Sequence, residues 1–105
     1  MAESWIDVGA ESEIRPGRPL TAELDGVPIM VARCGNAYYA IEDRCTHDGE
    51  ALAGGDIEDC EIICPRHFAR FDLKTGEALT PPAYEPVRTF AVRLESGRIL
   101  VRAAD

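Results

Sequence analysis

Short apolar or alternating segments recur roughly every ten residues along the chain, divided by Gly, Pro, Asn and Asp. No window long enough for a full helix sustains a 3.6-residue period, so the pattern predicts an all-β fold. Strands are predicted over 5–8 and 19–24, the latter with Leu20, Ala22 and Leu24 on one face, joined through a turn at Arg15-Pro16-Gly17. Asp25-Gly26 and Gly35-Asn36 mark the next two turns, with strands over 27–33 and 37–41 forming a hairpin. Over 43–55 the alternation gives way to polar and small residues, and Gly49, Gly54 and Gly55 predict a loop wrapped around something. Strand character returns at Glu61-Ile62-Ile63. Residues 71–73 and 78–79 flank Lys74-Thr75-Gly76-Glu77 as a second small hairpin, Thr80-Pro81-Pro82-Ala83 is stiff and outside any sheet, and 90–94 pairs with 98–101 across Glu95-Ser96-Gly97.

This order predicts one domain over residues 1–105. Residues 1–42 and 86–105 form a base, and about 43–85 form an inserted cap, with no internal repeat. The apolar fraction of 46% is that of a folded soluble protein. A net charge of −8 argues against phosphate-backbone and anionic-membrane binding and favours a basic partner surface. The start, Met1-Ala2-Glu3-Ser4-Trp5, has neither a basic segment nor an apolar run, and no stretch is long enough to cross a bilayer; the expected location is the cytoplasm. In a reducing compartment the four cysteines point to metal ligation rather than to two disulfides.

The chemistry sits in two segments, Cys45-Thr46-His47 and Cys64-Pro65-Arg66-His67, which use both histidines of the chain. In an extended loop residues two apart point the same way, so Cys45 and His47 reach one site, and Cys64 and His67 reach it across a turn that begins at proline. Two thiolates and two imidazoles suit a tetrahedral zinc, or a two-iron, two-sulfide cluster with cysteines on one iron and histidines on the other. Zinc fingers of the Cys2His2 type keep cysteines with cysteines, whereas each loop here supplies one of each.

With Cys-Thr-His-x-Gly, Cys-Pro-x-His, Arg70-Phe71-Asp72, Thr75-Gly76-Glu77 and Pro81-Pro82-Ala83, the chain resembles the Rieske iron-sulfur family, and, with Glu50, Arg66, Ala69 and Phe71 where high-potential members have cysteines and hydroxyls, it resembles the ferredoxins of bacterial ring-hydroxylating oxygenase systems. The resemblance implies a Rieske-like antiparallel β sandwich or barrel as base. It implies one [2Fe-2S] cluster, with Cys45 and Cys64 on the inner iron and His47 and His67 on the outer iron at a solvent-facing tip. It further implies a carrier without a catalytic site, taking one electron from a flavin-containing reductase to a terminal non-haem iron oxygenase, docking transiently at the histidine tip and working as a monomer. The rival readings are a Rieske-like small subunit of assimilatory nitrite reductase and a structural zinc-binding interaction module.

High-potential Rieske proteins carry a further cysteine in each loop, forming a disulfide, and serine and tyrosine hydroxyls that donate to cluster or cysteine sulfur. The corresponding residues here are Glu50 and Arg66, and Ala69 and Phe71, which implies a potential near the bottom of the Rieske range, about −150 mV. Phe68 stands where many relatives have glycine. Outside the motifs, Cys34 and Cys60 are expected to be small buried packing residues, with a disulfide between them the minor alternative. Asp48 and Glu50 read as solvated loop carboxylates, Arg66 and Arg70 as paired surface arginines, and Asp72 and Glu77 as hairpin residues. Pro81-Pro82, Leu52 and Phe68 either form an apolar docking rim or, for the prolines, brace the ligand loops. Trp5, Tyr38, Tyr39, Tyr84 and Phe90 are expected in packing roles.

Overall fold

The computed structural model describes residues 5–15, 17–46, 49–66, 68–81 and 83–103. Among the described residues nine strands form two antiparallel sheets. The larger contains β1 (Ile6–Ala10), β2 (Leu20–Leu24), β3 (Val27–Cys34), β4 (Ala37–Glu42), β8 (Thr89–Glu95) and β9 (Arg98–Ala103), in the order β1-β9-β8-β4-β3-β2. The smaller runs β5 (Ile57–Glu58), β6 (Glu61–Ile63), β7 (Arg70–Asp72). The fold is therefore nearly all β, as the alternation implies, with one 3-10 turn among the described residues, at Glu11–Glu13.

The larger sheet curls until its two edge strands meet. The register between β1 and β9 shifts between Asp7 and Gly9, a bulge that bends β1, and Gly9 then lies so close to Leu20 that a β-carbon there would come within 2.9 Å of it. Inside this barrel-like sheet one core gathers Leu20, Leu24, Ile29, Val31, Ala40, Phe90, Ile99 and Val101. A second core fills the space between the two sheets, with Met30, Ala32 and Ile41 from the larger and Ile62 and Phe71 from the smaller.

The central strand β3 shows why the sequence divides this way. Successive side chains of a strand face opposite sides, so Ile29 and Val31 enter the first core while Met30 and Ala32 enter the second. All four are buried, which turns an ordinary alternating strand into a continuous apolar run. In β8 the alternation fades instead. Phe90 is buried, Val92 half-buried and Leu94 45% exposed, because the far end of that strand has left the core.

Two expectations are corrected here. Cys34 and Cys60 are not buried packing thiols: they are half-buried and joined by a disulfide, with Cα atoms 5.5 Å apart. Cys34 ends β3, and Cys60 lies in the two-residue turn between β5 and β6, so the bond ties a hairpin of the larger sheet to a hairpin of the smaller one. Tyr84 is not a packing residue: it is 81% exposed. The other four aromatics do pack. Tyr38 donates to a Glu11 carboxylate oxygen at 2.6 Å, Tyr39 lies against the second core, and the Arg93 and Arg102 guanidinium carbons sit 5.4 and 5.0 Å from the Trp5 ring centre.

Candidate metal centre

Each ligand loop is closed by the same pair of backbone hydrogen bonds. In the first, the Cys45 amide donates to Glu50 O at 2.7 Å and the Gly49 amide donates to Cys45 O at 2.7 Å. In the second, the Cys64 amide donates to Ala69 O at 2.7 Å and the Phe68 amide donates to Cys64 O at 2.9 Å. Gly49 and Phe68 both take left-handed backbone angles, φ 80° and 63°, so the hydrogen-bonded positions of the two loops correspond: Cys45 to Cys64, Gly49 to Phe68, Glu50 to Ala69.

Local chemistry fixes each loop to the body. Asp43 leaves β4 and accepts the amides of Leu52 and Ala53 on one carboxylate oxygen, at 2.7 and 2.9 Å, closing the first loop from below. The sequence reading missed Asp43; its signal was an aspartate placed directly after a strand and before a polar loop. Leu52 is turned inward by these bonds and is fully buried, so the expectation that it contributes to an exposed rim is corrected. The Thr46 hydroxyl donates to Glu85 O at 2.7 Å, joining the first loop to the segment that follows the prolines.

The second loop is carried by β6 and β7. Ile63 precedes Cys64 and donates to Asp56 O at 2.9 Å, with Gly55 pressed against the Ile63 carbonyl. Arg70 bridges to Glu58 at 3.1 Å and Glu61 at 3.2 Å, and these two carboxylates raise the pKa of its guanidinium. Across the loops Arg66 meets Glu50 at 3.5 Å, both side chains more than half exposed. The positions that resemble those of the bridging cysteines in high-potential proteins thus carry an ion pair. In water such a pair is worth at most about 1 kcal/mol.

Cys45 and Cys64 are fully buried, lie outside the disulfide, and belong to the same core cluster as Leu52, Ala69, Phe71, Ala83 and Val87. Two sulfur donors on equivalent loops over one apolar floor suit a metal that prefers soft ligands. Ala83 buries itself against this cluster, while Pro81 is exposed and Phe68 is 72% exposed. His47, Asp48, His67 and Pro82 lie outside the described residues.

A family model for the Rieske [2Fe-2S] domain matches residues 4–91. The chain is 35% identical over 101 residues to the ferredoxin component of a naphthalene 1,2-dioxygenase system from Pseudomonas aeruginosa, covering 96% of this chain and 97% of that one. It is similar to the solved ferredoxin of carbazole 1,9a-dioxygenase from Nocardioides aromaticivorans IC177, with a TM-score of 0.90 and 34% identity over 96% of this chain and 99% of that one. It also matches a chain in a solved complex of reduced oxygenase and oxidized ferredoxin in carbazole 1,9a-dioxygenase, with a TM-score of 0.86 and 32% identity over 96% of this chain and 94% of that one. With matched cysteine loops, a shared apolar floor and this breadth of similarity, the chain belongs to the Rieske [2Fe-2S] domain family, whose cofactor is one such cluster.

Proposed function

We propose that this protein is a low-potential Rieske ferredoxin that carries one electron from a flavin-containing reductase to a terminal non-haem iron oxygenase. The observation that supports it most directly is the equivalence of the two cysteine loops over a common core, in a chain similar over nearly its whole length to ferredoxin components of dioxygenase systems. Cys45 and Cys64 would hold the inner iron, and His47 and His67 the outer one. When bound, a cluster with two histidine ligands supplies a one-electron couple at a higher potential than an all-cysteine cluster.

The chain's own residues set where in that range it works. Ala69 and Phe71 are fully buried beside the cysteines and offer no hydroxyl to sulfur, which leaves added negative charge less stabilised and keeps the potential low. Docking takes place at the histidine tip, steered toward basic surfaces by the net charge of −8. The chain acts as one unit, with base 1–42 and 86–105 and cap about 43–85, and resides in the cytoplasm. No helix among the described residues is long and apolar enough to cross a membrane.

Brown colour, iron and acid-labile sulfide at two each per chain, and a reduced EPR signal of low average g are the expected results. A colourless protein that binds one zinc supports the interaction-module reading instead. Cys45→Ser and His47→Ala should each abolish the signal. Reduction by a flavoprotein reductase, followed by reoxidation by a ring-hydroxylating oxygenase, tests the partners.

A further inference from the structure

We propose that Cys34 and Cys60 form a reversible dithiol/disulfide couple, exchanging with low-molecular-weight thiols such as glutathione, that clips the smaller sheet to the larger one. Three observations carry this. The two cysteines are bonded, and their Cα separation of 5.5 Å lies in the middle of the range such a bridge needs. Both are half-buried, Cys34 at the end of a strand and Cys60 in a hairpin turn, and belong to neither core, so a small thiolate can approach them. The other two cysteines, Cys45 and Cys64, are fully buried in the second core, so exchange is directed to the turn pair and away from the ligand thiols.

The turn that holds Cys60 is a further sign that its side chain is there for bonding. Asp59 and Cys60 have φ of 52° and 62°, two consecutive left-handed residues at a site where hairpins favour Asn-Gly. A cysteine is a poor choice for that backbone and a suitable one for reaching Cys34. The bond closes a 26-residue separation that contains the whole first ligand loop, and β6 runs from Cys60 directly to the second. The clip thus restrains both ligand loops from the end opposite to their cysteines.

Opening balances with two thiols. A thiolate RS⁻ attacks one sulfur of the bridge, the other leaves as thiolate and takes a proton, and a mixed disulfide remains. A second RS⁻ attacks the outer sulfur of that mixed disulfide, releasing RSSR and the second cysteine thiol. Two electrons and two protons pass from 2 RSH to the protein, and the disulfide RSSR reverses the step. In a reducing compartment a bridge this accessible is of the labile, sensing kind rather than a permanent one.

The test uses the holoprotein equilibrated in glutathione buffers from oxidising to reducing, then denatured, alkylated with iodoacetamide and weighed. The expected result is two alkylated thiols and a Cys34–Cys60 peptide cross-link at the oxidising end, and four alkylated thiols at the reducing end. Native-state thermolysin digestion of the same samples should cut the reduced form at least about a hundredfold faster, the scale expected for a closed loop of this length. Absence of the cross-link in every buffer overturns the proposal, as does a cross-link that survives the reducing end or a cleavage rate unchanged by reduction. The Cys34→Ser, Cys60→Ser double variant should show two alkylated thiols and be cleaved at the reduced wild type's rate in every buffer; because the wild type is compared with itself, the result does not depend on that variant folding. The visible spectrum, recorded alongside, reports the electron-carrier reading separately.

Discussion

Gly49 and Phe68 hold the same place in the two ligand loops, each donating its amide to the carbonyl of the cysteine four residues before it in the left-handed conformation. Glycine takes that conformation freely, while a residue with a β-carbon is crowded by about 1–2 kcal/mol. Phe68→Gly removes the crowding and forfeits little burial, since the ring is 72% exposed. The added freedom of glycine in the unfolded chain takes back about 0.4–1 kcal/mol, leaving a net stabilisation between about 0 and 1.6 kcal/mol. Urea unfolding followed by cluster absorbance measures it, and a loss above 1 kcal/mol would contradict the strain argument.

Gly55 should tolerate no side chain. A β-carbon built there overlaps the Ile63 carbonyl oxygen and reaches within 3.3 Å of the Leu52 carbonyl oxygen. Neither is the end of a flexible side chain, so β6 itself must shift, and Cys64 follows Ile63 directly. Gly55→Ala is expected to lower stability by at least the roughly 1–3 kcal/mol of an overpacked core and to reduce iron content. Gly54→Ala, where nothing lies within 4 Å, is the matched control.

Ala69→Ser places a hydroxyl in the fully buried cluster that contains both ligand cysteines. A buried donor must find an acceptor, and sulfur that gains negative charge on reduction is the one that rewards it. A hydrogen bond to a charged acceptor is worth about 1.5–3 kcal/mol, so the midpoint should rise by up to roughly 60–130 mV. Protein-film voltammetry reads it. A downward shift would show that the hydroxyl points elsewhere.

The fold also predicts an acid dependence far from the site. Arg98 donates to Asp7 at 2.9 Å with two nitrogens, and that bonding lowers the Asp7 pKa below the ordinary carboxylate range. A lowered folded-state value means that the unfolded chain binds the proton more readily. The contribution is therefore present above the ordinary carboxylate pKa and is lost as pH falls through the lower, folded value. Asp7→Asn should flatten this part of the stability profile below about pH 4 and leave alkaline behaviour unchanged, with a small amplitude because the pair is exposed. Chemical unfolding at pH 3 and pH 7 compares them.

Much of this was legible before any coordinates. The strands built on alternation and the turns at Asp25-Gly26 and Ser96-Gly97 needed only local chemistry. What escaped was set by partners distant in sequence. Strand β5 is two residues long and exists because Ile57 pairs with Ile62, with a turn, Asp59-Cys60, that lacks the usual glycine. The disulfide joins two hairpins that nothing in the spacing brings together. Leu52 sits among small loop residues and is buried because Asp43 turns its backbone inward. The two cysteine segments stand out by spacing and family resemblance, whereas the equivalence of their loops does not, because one pairs Gly49 with a residue as unlike it as Phe68.

That equivalence has a bearing on speed. Each cysteine is pinned on both sides, its amide and its carbonyl already engaged within its own loop, and its side chain is fully buried in one shared core. Groups fixed in advance need not move when the charge they enclose changes. Cysteines held this way add little reorganisation to the barrier for each electron hop.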